Sequence, residues 1–386
     1  MVESKKNLSL LYLLGFILAV STALPSYIQS TFIQNSVGLR WVSLFFGGAM
    51  VATLVATIYF PHLIRKFTNY YLALALLVIN FISIPLMVTI HSVFWFFIFF
   101  ISFTVSINLI WINMDMFVET YSLNKNTGAI RTTYFTLMNL GWMVSPLAVG
   151  YLLRVVSYGF IFWLAALFLI PAFLIFLSQK ARFRDQTKYE KGNVKAAVVG
   201  MWCNSSLRLI FFVSFLLRLF YTFAVVYVPI YLNQNLGFSW SVIGIMFTFM
   251  LMPFVLLEIP AGLLADKYLG EKEILIVGFS ILVITTFLMF FTHSVSPIVW
   301  GLILFFSRCG AALVEAMQET YFFKIVDVPD VNFINLFRTA NPLSYLAASA
   351  LAALLLVFFP IHYLFLFLAI ILLSGIYFAC RLKDTA

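Results

Sequence analysis

The sequence predicts an all-α polytopic membrane protein, with twelve transmembrane helices arranged as two parallel, pseudo-symmetric six-helix bundles. Three observations carry that prediction. The 386 residues are 63% hydrophobic and only 10% charged, against roughly 25% charged in soluble domains. Too few charges exist to cover a water-facing surface, so lipid is the solvent for most of the chain. The apolar runs are about 20 residues long and lack the strict alternation of a barrel strand, so they span as helices. Finally, the second half of the chain repeats the first, in order and in the same orientation.

Spans are expected near 8–30, 39–60, 71–90, 93–117, 129–153, 158–178, 207–232, 240–265, 273–292, 296–320, 334–358 and 361–381. The first follows Lys5 and Lys6 and reads as an uncleaved span, because eleven more follow it. The longest polar interruption, residues 179–206, is basic and reads as a solvated cytoplasmic connector. It divides an N-terminal bundle over 1–178 from a C-terminal bundle over 207–386.

The net charge of +9 has an address. With the N-terminus inside, 19 of the 23 Lys and Arg residues fall on the cytoplasmic side. The outer ends hold only Arg40 and Arg154, and Arg218 and Arg308 lie within spans. This asymmetry places both termini in the cytoplasm of a multi-pass cell-membrane protein. It also accounts for the basic balance without nucleic acid.

The repeat is read from four matches. Asp115-x-x-x-Glu119-Thr120-Tyr121 recurs as Glu315-x-x-x-Glu319-Thr320-Tyr321, and His91-Ser92-Val93 as His293-Ser294-Val295. Pro25-Ser26-Tyr27 before Gly38-x-x-Trp41 recurs as Pro229-Ile230-Tyr231 before Gly237-x-x-Trp240. Ile130-Arg131-Thr132 has its counterpart in Phe337-Arg338-Thr339. Six spans followed by six similar spans imply parallel halves related by an axis along the membrane normal.

Ionisable groups inside a bilayer are costly and mark pathways or pair with one another. Those within spans are Asp115, Arg218, Glu258, Arg308 and Glu315. Arg218 and Glu258 fall at matching depths, about 16 and 12 Å from the cytoplasmic ends of consecutive spans. They are read as an ion pair that either braces two helices or holds a proton-coupling carboxylate at Glu258. Arg308 aligns with Asn108. Thr104, Asn108, Trp111 and Asp115 share one helix face, and Arg308 and Glu315 share another at i, i+7. That spacing leaves Arg308 about 10 Å along the axis from Glu315, so Arg308, with Arg218, is a candidate ligand for an anionic substrate. Gln29 shares a face with Thr22, Ser26 and Ile33, while Arg338, Asn341, Tyr345 and Ser349 form a stripe in the eleventh span.

Gly262-Leu-Leu-Ala-Asp266-Lys267-Tyr-Leu-Gly-Glu-Lys272 resembles the cytoplasmic loop motif of the major facilitator superfamily, Gly-x-x-x-Asp-Arg-x-Gly-Arg-Arg. The equivalent first-half loop, Pro61–Tyr71, keeps Arg65 and Lys66 but has neither the glycine nor the aspartate. Gly141-Trp-Met-Val-Ser145-Pro146-Leu-Ala-Val-Gly150 is similar to the superfamily's antiporter motif, without its doubled glycines. The resemblance implies a central cavity lined by the first and fourth helices of each half, with alternating access by rocking. It therefore places Asn108 and Arg308 toward a substrate path, with Gln29 of the first span and Asn341 and Tyr345 of the eleventh as further candidates from their polar stripes. It also implies a gating latch of Asp115, Glu119, Arg131, Asp266, Lys267, Glu315, Glu319 and Arg338.

Cys203, Cys309 and Cys380 are scattered, the four histidines form no His-Glu-x-x-His motif, and no Gly-x-x-x-x-Gly-Lys-Ser/Thr loop is present. No enzyme, metal site or cofactor is expected. The reading is a monomeric secondary transporter in the lipid bilayer, moving a small-molecule substrate with a coupling proton and favouring an anion. Its alternatives are an efflux antiporter for amphipathic compounds, or a lipid-handling or sensor protein without ion-coupled transport.

Overall fold

The computed structural model describes residues 2–90, 92–121, 127–183, 194–267, 270–325 and 331–383. The chain forms two compact units, Met1–Glu190 and Lys191–Ala386, which divide inside the expected linker.

The first unit contains α1 (Val2–Ser26), α2 (Gln29–Val37), α3 (Leu39–Thr89), α4 (Val93–Tyr121), α5 (Thr127–Leu152), α6 (Tyr158–Leu167), α7 (Leu169–Ser178) and the short α8 (Lys180–Phe183). The second contains α9 (Val194–Cys203), α10 (Ser205–Ile230), a π turn at Tyr231–Asn235, α11 (Trp240–Lys267), α12 (Glu271–Phe291), α13 (Pro297–Ile325), α14 (Val331–Arg338), α15 (Ala340–Phe358) and α16 (Tyr363–Cys380). Among the described residues, ten segments are long and apolar enough to cross a membrane, against the twelve expected. One of them, α3, runs for 51 residues and contains a non-helical residue at Thr68, so it covers the second and third expected spans. The fifth expected span falls on α5.

The sequence repeat reappears in the backbone. Pro25 and Pro229, which lack an N–H for the helix ladder, each precede an irregularity in the first helix of their half. In the first, Ile28 N–H turns back to Pro25 O at 3.1 Å and α2 starts afresh at Gln29. In the second, α10 loosens into the π turn, and Leu236 N–H reaches Tyr231 O at 3.1 Å. The paired Gly38 and Gly237 both adopt positive φ, 96° and 71°. A third equivalence was not visible in residue types. Gly270 opens α12 at φ 63°, ψ 161°, and Thr68, 202 positions earlier, holds φ 62°, ψ 156°. A β-branched residue thus occupies a backbone region that is essentially reserved for glycine.

Packing within each unit follows the rules of apolar solvent, where polar groups join helices and small residues let them approach. In the first unit α3 lies along α4 and α1 along α5. Asn80 of α3 donates to Phe103 O and Ser106 Oγ of α4 at 3.0 and 2.8 Å. Asn69 and Asn113 each donate their side-chain amide to the other's backbone carbonyl, at 3.4 and 3.2 Å. At Gly141 of α5, a Cβ would stand 2.9 Å from Ala19 Cβ and 3.3 Å from the backbone of α1. The glycine of the antiporter-like motif therefore sets a close helix contact. In the second unit α13 packs against both α11 and α12, and α10 against α15 and α16.

The expected linker is partly folded onto the two units. Phe183 is buried against Phe117 and Phe176, with ring centroids at 5.7 and 5.2 Å. The apolar stretch of α9 packs beside α14, with the Phe333 ring over Gly200. Residues 184–193, which hold most of the expected connector's charge, lie outside the described residues.

Candidate functional site

The charged groups of the second unit converge from three helices. On α10, Arg218 and Tyr221 are one turn apart and so project to the same side. Arg218 lies about 20 Å along the helix from Ser205, deep in the apolar segment. On α13, Arg308, Glu315 and Glu319 form a stripe at i, i+7, i+11. Arg338 closes α14 immediately before α15 begins.

Their contacts interlock. Arg218 Nη2 is 3.3 Å from Glu315 Oε1 and 3.9 Å from Glu319 Oε1. Tyr221 donates its hydroxyl to Glu315 Oε2 at 2.7 Å. Arg338 grips Glu319 with both guanidinium nitrogens, at 2.8 and 3.3 Å, the forked geometry that gives arginine–carboxylate pairs their directionality. The paired side chains are 22–28% exposed, so they are partly screened rather than sealed. Arg308 is only 2% exposed. Its guanidinium lies 5.1 Å from the Phe220 ring and 5.5 Å from the Tyr221 ring, within cation–π range. Arg218 stands 5.7 Å from the same Tyr221 ring, and Phe254 of α11 meets that ring edge-on at 6.2 Å. This described cluster thus gathers three guanidiniums and two carboxylates.

Several expected residues are brought together here. Arg218 reaches two carboxylates of α13, contacts the sequence reading did not foresee, while the expected pair with Glu258 falls on a side chain outside the described residues. An arginine side chain is long enough to cross to a non-consecutive helix, which depth arithmetic alone does not reveal. The side chains of Glu258, Asp266 and Lys267 lie outside the described residues, as do those of Glu119 and Arg131. Of the residues expected in a latch, Glu315 and Glu319 share Arg218 within the second unit, and Arg338 binds Glu319 directly. Asn341 and Tyr345 are half-buried on α15, which packs along α10.

In the first unit the polar groups are more dispersed. Gln29 is 8% exposed at the start of α2. Asn108 donates its amide back to Thr104 O at 2.8 Å, along its own helix. Asp115 is half-buried within electrostatic reach of the Tyr134 side chain on α5.

Two residues were missed from sequence. Tyr221 read as one more aromatic in an apolar span, although its spacing from Arg218 carried the signal. Gln318 of α13 is fully buried, and neither of its amide atoms is hydrogen-bonded within the protein.

A family model described as Major Facilitator Superfamily matches residues 8–328, and matches again over 210–385. The chain belongs to the major facilitator superfamily. The second match begins within α10, where the second copy of the repeat begins, so one model fits the chain twice. Comparison with the curated proteins gives no match. As a major facilitator protein it is a multi-pass membrane transporter for a small-molecule substrate. Arg218 and Arg308 then lie well inside the apolar spans of α10 and α13 of a transporter, where an ionised group costs about 2.5–3.5 kcal/mol on insertion scales.

Proposed function

We propose that this transporter carries a small organic anion together with a proton across the cell membrane, by alternating access between its two six-helix halves, with both termini cytoplasmic. The observation that supports the reading is the cluster itself: two carboxylates and three guanidiniums brought together by α10, α13 and α14, with Arg218 shared between Glu315 and Glu319. In this reading Arg308 and Arg218 attract the anionic group. Glu315, which shares Arg218 with Glu319, takes up the proton. Protonation of Glu315 loosens its hold on Arg218, and the freed guanidinium is then offered to the substrate. One proton entering with one monoanion leaves the charge of the cluster unchanged, which avoids the cost of an unbalanced charge at that depth.

The test is uptake of radiolabelled monocarboxylates, dicarboxylates and organic phosphates into proteoliposomes, with and without an inward acid gradient. Accumulation that needs the gradient and is lost in Arg308→Ala is the expected result. Uptake of a neutral or cationic solute in place of every anion would remove the substrate class, and gradient-independent anion uptake would remove the coupling. A second reading, proton-driven export of amphipathic compounds, is favoured by the Gly141–Gly150 motif of α5. It predicts that an inward acid gradient drives the substrate outward.

A further inference from the structure

Arg308 and Glu315 are separated by about 10 Å along α13, too far for direct contact, and the structure shows what fills the gap. Tyr221 of α10 lies across it. Its ring face is shared by Arg308 at 5.5 Å and Arg218 at 5.7 Å, and its hydroxyl ends on Glu315 Oε2 at 2.7 Å. Phe254 of α11 buttresses the ring edge at 6.2 Å. One side chain therefore touches the two candidate anion ligands and the candidate proton carrier. We infer that Tyr221 is a positioning residue that links the loading of the two: its hydroxyl holds Glu315 ionised while the anion site is empty, and its ring fixes the guanidiniums where the anion arrives. The inference rests on the proton–anion reading above.

The chemistry of the link is a proton and a hydrogen bond, with no covalent step. The phenol is a donor and the ionised carboxylate accepts from it, together with Arg218. A proton arriving at Glu315 converts that carboxylate into a donor, weakening both the hydrogen bond from Tyr221 and the ion pair from Arg218. The hydroxyl and the guanidinium of Arg218 are then released as donors next to Arg308, whose guanidinium lies 5.5 Å from the same Tyr221 ring, a donor set suited to a carboxylate or phosphate oxygen. The charged groups facing this site are Arg218 from α10, Arg308 and Glu319 from α13, and Arg338 from α14. Glu258 and Asp266, the acidic residues of α11, have their side chains outside the described residues.

The two functions of Tyr221 separate in two variants. Tyr221→Phe keeps the ring and removes the hydroxyl, and Tyr221→Leu removes both. Reconstituted full-length protein is titrated with acid, and the protonated-carboxyl band is followed by infrared difference spectroscopy. Glu315→Gln identifies the band by removing it. A hydrogen bond to an ionised group favours that form by roughly a factor of ten or more, so in Tyr221→Phe the band should half-develop at about tenfold lower proton concentration. Benzoate, a monoanionic carboxylate, serves as the probe for the anion side. Its half-saturating concentration should change little in Tyr221→Phe and rise severalfold in Tyr221→Leu, read by the thermal shift of the same samples. An unchanged carboxyl titration in Tyr221→Phe overturns the inference, as does benzoate half-saturation in Tyr221→Leu equal to wild type. If the titration moves as expected while wild-type vesicles show no proton-dependent anion uptake, the role of Tyr221 stands and the proposed function falls.

Discussion

Replacing Thr68 with glycine should make this protein more stable, an unusual expectation for a change that removes a side chain from a helix-rich segment. Thr68 sits at φ 62°, ψ 156° between the two halves of α3, where the second half of the molecule uses Gly270 at φ 63°, ψ 161°. A β-branched residue in that region is strained by about 1–3 kcal/mol. Its hydroxyl oxygen is buried and not hydrogen-bonded within the protein, a further penalty of about 1 kcal/mol. Against this, glycine raises the entropy of the unfolded chain by about 0.5–1 kcal/mol. The balance favours Thr68→Gly by about 1–3 kcal/mol. For a unit of this size each kcal/mol moves the unfolding midpoint by about 2–4 °C. The assay is thermal unfolding in detergent, with the reciprocal Gly270→Thr as control, which should lose about 1–3 kcal/mol for the same reason. A Thr68→Gly protein that melts at or below the wild-type temperature would refute the reasoning.

Other expectations follow from the described contacts. Arg338→Lys cannot keep both bonds to Glu319 and should cost about 1 kcal/mol; an unchanged melting temperature would mean that the fork contributes nothing. Gln318→Leu removes a buried amide that has no hydrogen bond within the protein, so stability should hold or rise; loss of transport at unchanged stability would instead make Gln318 a transport residue. His362, the residue just before α16 and outside its apolar span, stacks on Phe290 at 5.8 Å. Burial first, and the charge of His293 second, lower its pKa below the ordinary 6.5. The folded state then binds fewer protons than the unfolded one, so this contribution to stability is complete above pH 6.5 and is lost as pH falls below it. His362→Phe should flatten the fall in melting temperature between pH 7.5 and pH 5.5; an identical fall would exclude the histidine.

The membrane architecture was largely legible because it rests on bulk properties, apolar length and charge asymmetry, that survive without knowledge of any contact. The repeat went further, and its Pro25/Pro229 and Gly38/Gly237 matches locate backbone irregularities as well as homologous spans. It did not reveal Thr68, because the conformation is shared with Gly270 while the residue type is not. The site was legible as a set of residues and less so as a set of pairs. Arg218, Arg308 and Glu315 stood out as charges within apolar spans, and Glu319 and Arg338 through the repeat and the latch it suggested. Which of them touch depends on how α10 faces α13, and helix depth and chain adjacency do not encode that angle. Tyr221 was hidden for a related reason: an aromatic side chain in a span is ordinary until its hydroxyl is seen to end on a carboxylate. The helix α9 was obscured by averaging, since the charge of residues 179–193 gave its character to the whole linker.

The central claim is that Glu315 takes up a proton as the anion is carried. It is tested most directly by trapping a pH-sensitive dye inside proteoliposomes and adding an inward gradient of a transported anion, with no other driving force. The account predicts that the lumen acidifies as the wild-type protein admits the anion, and that Glu315→Gln admits the anion without acidification. Acidification by Glu315→Gln at the wild-type rate would place the proton elsewhere and contradict the account.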